Sequence, residues 1–194
     1  MGRITDLKKA AVAYGRWQLL RGYDKKPPFG VNIATEVKGT AINALLRLID
    51  ATPPKTPADW ADWYVNLQRT KAPMHYDELR PMTFPAPPAY PTKFDCSWFA
   101  TLCQHDAGWP DPNGQGYSGV GNTATLAVHG RKVATPHRDD LAFYGSGETI
   151  EHVAVVCNAS TVASMGEEGD PRHWPIATCG DAAFHVIEYR RYTP

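Results

Sequence analysis

Apolar residues recur at helical spacing in three stretches of the first seventy positions. Leu7, Ala10, Tyr14, Trp17 and Leu20 follow the capping residue Thr5 and stop near Gly22, which predicts a helix with a core-facing stripe. Ile42, Leu45, Leu46 and Ile49 predict a second helix, ended by Pro53 and Pro54. The third has the clearest start: Thr56 offers a hydroxyl cap, Pro57 needs no amide partner, and Asp59 puts an acid in the first turn. Trp60, Trp63, Tyr64 and Leu67 then share one face. Sugar stacking is one reading of that face, but aromatic residues at this spacing are more often core, and the face is read as core.

The pattern changes beyond residue 80. Prolines at 81, 85, 87, 88 and 91 deny both helix and central strand, so residues 81–91 are expected to form a stiff extended strap. Residues 95–104 then read as a helix and 108–121 as a glycine-rich loop. Residues 141–144 and 153–156 read as apolar strands, and 182–189 as a half-exposed final strand. Helices followed by one helix and several short strands predict an α+β fold. The expected division is a helical segment over residues 1–72 and a second unit over 73–194.

Composition narrows the functional classes. Twenty basic and twenty acidic side chains cancel, so no overall field draws the chain to nucleic acid or to an anionic membrane. No apolar run is long enough to span a bilayer, and residues 1–16 lack the apolar core of a secretory signal, so membrane insertion and a signal peptide are not expected. Synthesis in the cytoplasm follows as an expectation. Cys96, Cys103, Cys157 and Cys179 show no metal-type pairing at short spacing, and a cytoplasmic origin argues against a disulfide framework.

One cysteine has a setting suited to chemistry. Cys96 follows the capping residue Asp95 and precedes apolar Trp98, Phe99 and Leu102, which places it in the first turn of a helix, where unpaired amides and the helix dipole favour a thiolate. The same amides can receive an oxyanion. Position alone does not separate this reading from a small buried apolar residue. Cys103, Cys157 and Cys179 read as structural. A thiol nucleophile needs a base, and His152, beside the apolar run Val153, Ala154, Val155 and Val156, can be held at a strand edge. The other six histidines read as solvated or core residues. His129 and His137 have no cysteine or histidine partner at metal-type spacing, so no metal or other cofactor is expected.

The ordered set Asp95, Cys96, Ser97, then Asp140, Leu141, Ala142, Phe143, Tyr144, then His152, Val153, Ala154, Val155, Val156 resembles the NlpC-type cysteine peptidases, a papain-like family that cleaves bacterial peptidoglycan. Tyr76 with Glu78, Arg80 and Pro81, Ala107 and Gly108 with Pro112, Asn113 and Gly114, Tyr117 with Gly119 and Gly121, and Gly166 with Glu167 look like the peptidase domain of endolysins from phages of actinobacteria. The resemblance runs from about His75 to the carboxyl terminus. It implies a papain-like fold with the cysteine helix on a small antiparallel sheet, a thiolate–imidazolium pair and an acyl-enzyme at Cys96. It further implies hydrolysis of a stem-peptide bond, with Tyr76 as the nearest match to an oxyanion tyrosine. Asp139 stands where the family has glycine. The family's third polar residue falls in the stretch Ala163, Ser164, Met165, Gly166, Glu167, leaving the orienting role open between Ser164 and Glu167. Bacterial peptidoglycan is the implied partner. The implied setting is the host cytoplasm with release to the wall as an endolysin; the alternative is a virion component, with other virion proteins as partners.

Overall fold

A computed structural model describes residues 54–70, 74–85, 90–167 and 169–193. The two helices expected before residue 50 lie outside the described residues. The described elements are helices α1 (Pro57–Thr70), α2 (Cys96–Asp106) and α3 (Thr123–Val128), and strands β1 (Arg131–Val133), β2 (Leu141–Ser146), β3 (Thr149–Val156), β4 (Thr161–Met165), β5 (Pro171–Pro175) and β6 (His185–Arg191). The strands form one sheet in the order β1-β6-β2-β3-β4-β5, with every pair antiparallel. The α+β architecture expected from the sequence, with the helix that bears Cys96 packed on an antiparallel sheet, is therefore present. Among the described residues no helix is long and apolar enough to cross a membrane.

Helix α1 begins as its sequence dictates. The Asp59 amide donates to Thr56 Oγ1 at 3.3 Å and the Thr56 amide returns a bond to Asp59 Oδ2 at 3.2 Å, so each residue satisfies an amide that the helix cannot. Its buried face is Ala58, Ala61, Tyr64, Val65 and Leu67, while Trp60 and Trp63 are half-buried and meet edge to face at 5.4 Å. The core reading of this stripe holds for Tyr64 and Leu67 and in part for the tryptophans. Helix α1 lies before the expected 72/73 division, yet it packs on α2 and on β3, β4 and β5.

Helix α2 is buried on every side from Cys96 to Gln104, because α1 covers one flank and the sheet another. Phe99 stacks on Phe94 at 6.0 Å and meets Tyr64 edge-on at 6.2 Å. A fully buried aromatic ring stabilises by roughly 1.5–3 kcal/mol through burial, so these contacts anchor the helix that carries Cys96. The other sheet face has its own cover: Ala142, Tyr144, Ala154, Val156 and Val162 pack with Trp174, Ile176, Phe184 and Val186. Residues 141–144 of β2 and 153–156 of β3 are consequently buried on both faces and read as continuous apolar runs.

The turn before β2 accounts for the one departure from the family pattern there, Asp139, and for its neighbour Asp140. Asp139 has φ 77°, a backbone region that favours glycine, and its carboxylate accepts the Ala58 amide at 2.8 Å, so an acid here complements the start of α1. Asp140, buried, takes a bidentate pair from Arg191, both bonds 2.8 Å, and ties the start of β2 to the end of β6.

Candidate functional site

The amino-terminal end of α2 is fastened before any chemistry is considered. Asp95 caps it, its Oδ1 accepting the Trp98 amide at 2.7 Å and the Ser97 hydroxyl at 2.8 Å. Arg80 reaches in from the preceding segment: Nη2 donates to Asp95 Oδ2 at 2.7 Å and to Ser97 Oγ at 2.9 Å, and Nε donates to the Gly121 carbonyl at 2.8 Å. One guanidinium thus joins the segment bearing Tyr76, the start of α2 and the chain leading into α3. Asn122 caps α3 with a reciprocal bond to Thr125, and this sets Thr123 Oγ1 3.7 Å from Cys96 Sγ.

Cys96 is 3% exposed. Besides Thr123, the amides of Val153 and Ser97 favour the charged form of its sulfur, so α2, α3 and β3 all act on it. Position at a helix start favours a thiolate, and burial acts against it: desolvation first, then the Asp95 carboxylate, pushes the thiol up to about 11, and the donors only partly offset this. Burial thus favours the neutral thiol over its charged form.

His152 sits inside β3 rather than at its first residue. Tyr144 pairs with His152 and Gly145 with Ile150, so Glu151 is the extra residue of a β-bulge, a device that re-aims the neighbouring side chain. Gly145 is required there, since a Cβ would lie 1.8 Å from the Thr149 carbonyl oxygen. The ring lies beside Phe184 and Tyr144, with centroids 6.4 and 6.2 Å away. A Cβ at Gly180, where φ is +90°, would press on Phe184 at 2.8 Å.

Ser164 meets this ring, its Oγ 2.9 Å from His152 Nε2 and 2.7 Å from the Val153 carbonyl oxygen. A hydroxyl has one proton, and the carbonyl can only accept. Ser164 therefore donates to Val153 and accepts from Nε2–H, which leaves Nδ1 as the unprotonated nitrogen. Burial pulls the imidazole down to about 4, with Asp95 pushing back weakly. The pair implied as thiolate–imidazolium is thus thiol and neutral imidazole at rest. Glu167, the other candidate for orienting the ring, is exposed in the turn after β4.

Tyr76 is half-buried and its hydroxyl donates to Glu78 Oε1 at 3.1 Å. Burial, then the negative charge that would form at Cys96, holds the phenol protonated far above neutral pH. The structure therefore joins His152 to Ser164, sets Tyr76 within electrostatic reach of Cys96, and leaves Glu167 in an exposed turn. Thr123, the Val153 amide and the clamp by Arg80 were not singled out from the sequence. Asn122 and Thr125 carry the one usable signal, a capping pair that places Thr123 in the first turn of α3.

No protein-family model matches the chain, and no curated protein matches it. Among solved structures it is similar to NlpC2 from Trichomonas vaginalis, at 14% identity over 74% of this chain and 48% of that one, with a TM-score of 0.49. It is similar to an NlpC/P60 family protein from Bacillus cereus ATCC 10987, at 18% identity over 69% of this chain and 40% of that one, with a TM-score of 0.47. The NlpC/p60 domain of the peptidoglycan hydrolase SagA is similar at 16% identity over 72% of this chain and 99% of that one, with a TM-score of 0.46. The chain spans less than half the length of the first two.

Proposed function

We propose that this chain is a cysteine hydrolase of the stem peptide of bacterial peptidoglycan, with Cys96 as nucleophile and His152 as base. The observation that carries the reading is the buried imidazole whose Nε2–H is taken by Ser164, leaving Nδ1 free to accept a proton, next in sequence to the amide that contacts the Cys96 sulfur. Support for the substrate comes from the ordered residues around Cys96, Asp140 and His152.

In this mechanism His152 Nδ1 takes the proton from Cys96 Sγ as the sulfur attacks the carbonyl carbon of a peptide or amide bond. The resulting oxyanion is met by donors at the start of α2 and by the Tyr76 hydroxyl, which must leave Glu78 to reach it. Collapse breaks the carbon–nitrogen bond, the imidazolium returns its proton to the leaving amine, and a thioester remains. Water, deprotonated by the same nitrogen, releases the acid and the thiol. A neutral resting pair suits a buried site, because charge forms only when the substrate arrives to compensate it.

The biological setting we propose is lysis of an actinobacterial host by a phage endolysin, supported by the segments around Tyr76, Pro112 and Gly166. The alternative is a virion-borne protein that uses the fold to penetrate the wall, and detection of the chain in purified particles would favour it. Mass spectrometry of fragments released from actinobacterial walls tests the activity itself. New amino termini should appear with the wild type and vanish with Cys96→Ala at unchanged fold; release by that variant would refute the proposal.

A further inference from the structure

Away from this site, three side chains from separate elements bring a sulfur, a nitrogen and an oxygen together. Asp62 on α1, Cys157 just after β3 and His173 on β5 each offer one donor atom, all within 4.8 Å of one another. Asp62 Oδ1 lies 2.7 Å from His173 Nε2, and Cys157 is 2% exposed. We propose that Asp62, Cys157 and His173 form a site for a divalent transition metal of the zinc class.

The donor set fits that class. Thiolate, imidazole and carboxylate are the usual zinc ligands, and a tetrahedral ion holds its donors roughly 3.3–3.7 Å apart, so these three need shift only modestly from where they stand. As the metal–sulfur bond forms, the thiol proton leaves to solvent, and water fills the fourth position. The surroundings also call for a cation. Arg138 Nη2 donates to Asp62 Oδ2 at 3.1 Å and to Asp59 Oδ1 at 2.8 Å, and Asp139 also acts on Cys157. Two carboxylates, Asp59 and Asp62, thus share one guanidinium. A divalent ion with one thiolate adds a single positive charge and reduces the imbalance. Arg138 takes Asp62 Oδ2 and leaves Oδ1 for the ion, the outer contact that orients a ligating carboxylate.

This place is distinct from the Cys96 site. His152 and Cys157 are five residues apart along β3, about 17 Å of extended chain, so one ion cannot serve both. An ion here would clip α1 to the ends of β3 and β5, with its effect on stability rather than on the chemistry at Cys96.

The full chain carrying Cys96→Ser, which removes the other candidate thiol, should be titrated with cobalt(II) and, separately, zinc. One equivalent of cobalt should give a sulfur-to-metal charge-transfer band, and zinc should raise Tm reversibly with chelator. Cys157→Ala should abolish the band, and His173→Gln, on a half-exposed edge position, should weaken binding about tenfold or more with circular dichroism unchanged. Absence of both band and Tm shift at large metal excess would overturn the site, leaving an ion-pair network. A band that survives Cys157→Ala would overturn it equally.

Discussion

Replacing Ser164 with alanine removes the hydroxyl that hydrogen-bonds the His152 ring, and the structure sets the size of the effect. Ser164 is fully buried and makes two bonds, accepting from Nε2–H and donating to the Val153 carbonyl. Stranding the ring N–H costs about 1–3 kcal/mol and the lost hydroxyl bond about 1 more, so S164A should lose about 2–4 kcal/mol of stability. For a chain of this size that is a fall in Tm of roughly 4–16 °C. A second consequence concerns the proton on the ring. Without an acceptor at Nε2 the imidazole is free to carry its proton on Nδ1, the nitrogen assigned to receive the Cys96 proton. Ser164 Oγ also accepts from the imidazolium that forms as the proton arrives, and losing about 1–3 kcal/mol of that stabilisation corresponds to roughly a 5- to 160-fold drop in rate. Thermal melts and the initial rate of wall-peptide release, measured on the same preparations below the lower Tm, separate the two effects. A variant with lowered Tm and kcat within twofold of wild type would refute the support given to the imidazolium, and unchanged Tm would refute the assigned hydrogen bonds.

Acid should act through His152. Its pKa is lowered from 6.5 to about 4 by burial, so the unfolded chain binds more protons in that window and stability falls as pH drops from 6.5 towards 4, by about 3 kcal/mol in all; urea midpoints should show this slope in wild type and its loss in His152→Gln. The Cys96 thiol, pushed up to about 11, should alkylate with iodoacetamide at a rate that climbs through pH 9 to 11 in the absence of substrate, and a plateau below pH 7 would show instead a preformed thiolate. Arg80→Gln leaves the Asp95 carboxylate without its cation and unfastens Gly121. It should cost about 1–3 kcal/mol of stability and slow alkylation at fixed pH, with Arg80→Lys recovering part of the charge effect and little of the fork geometry.

Local chemistry made the elements legible. The cap and proline before Asp59 announced α1, the Asp95–Cys96 pair announced α2, and the apolar runs at 141–144 and 153–156 announced the central strands, because capping and alternation are written within a few neighbouring residues. The sequence alone therefore determined the α+β class and put Cys96 at a helix start. The short strands β1, β4 and β5 and the helix α3 escaped, since three to six residues carry too little periodicity and their stability comes from pairing with neighbouring strands and from packing on β3. What tertiary structure alone decided is the state of the site. Whether a helix-start cysteine rests as thiolate depends on what is stacked above it, and here α2 lies so deep that desolvation exceeds the pull of the amides. Which of Ser164 and Glu167 meets His152 depends on a strand that passes beside β3 and a turn that carries the glutamate out to solvent, a difference of three residues that no local pattern records. The joining of Asp62, Cys157 and His173, separated by up to 111 residues, likewise exists only once α1 is laid against the sheet.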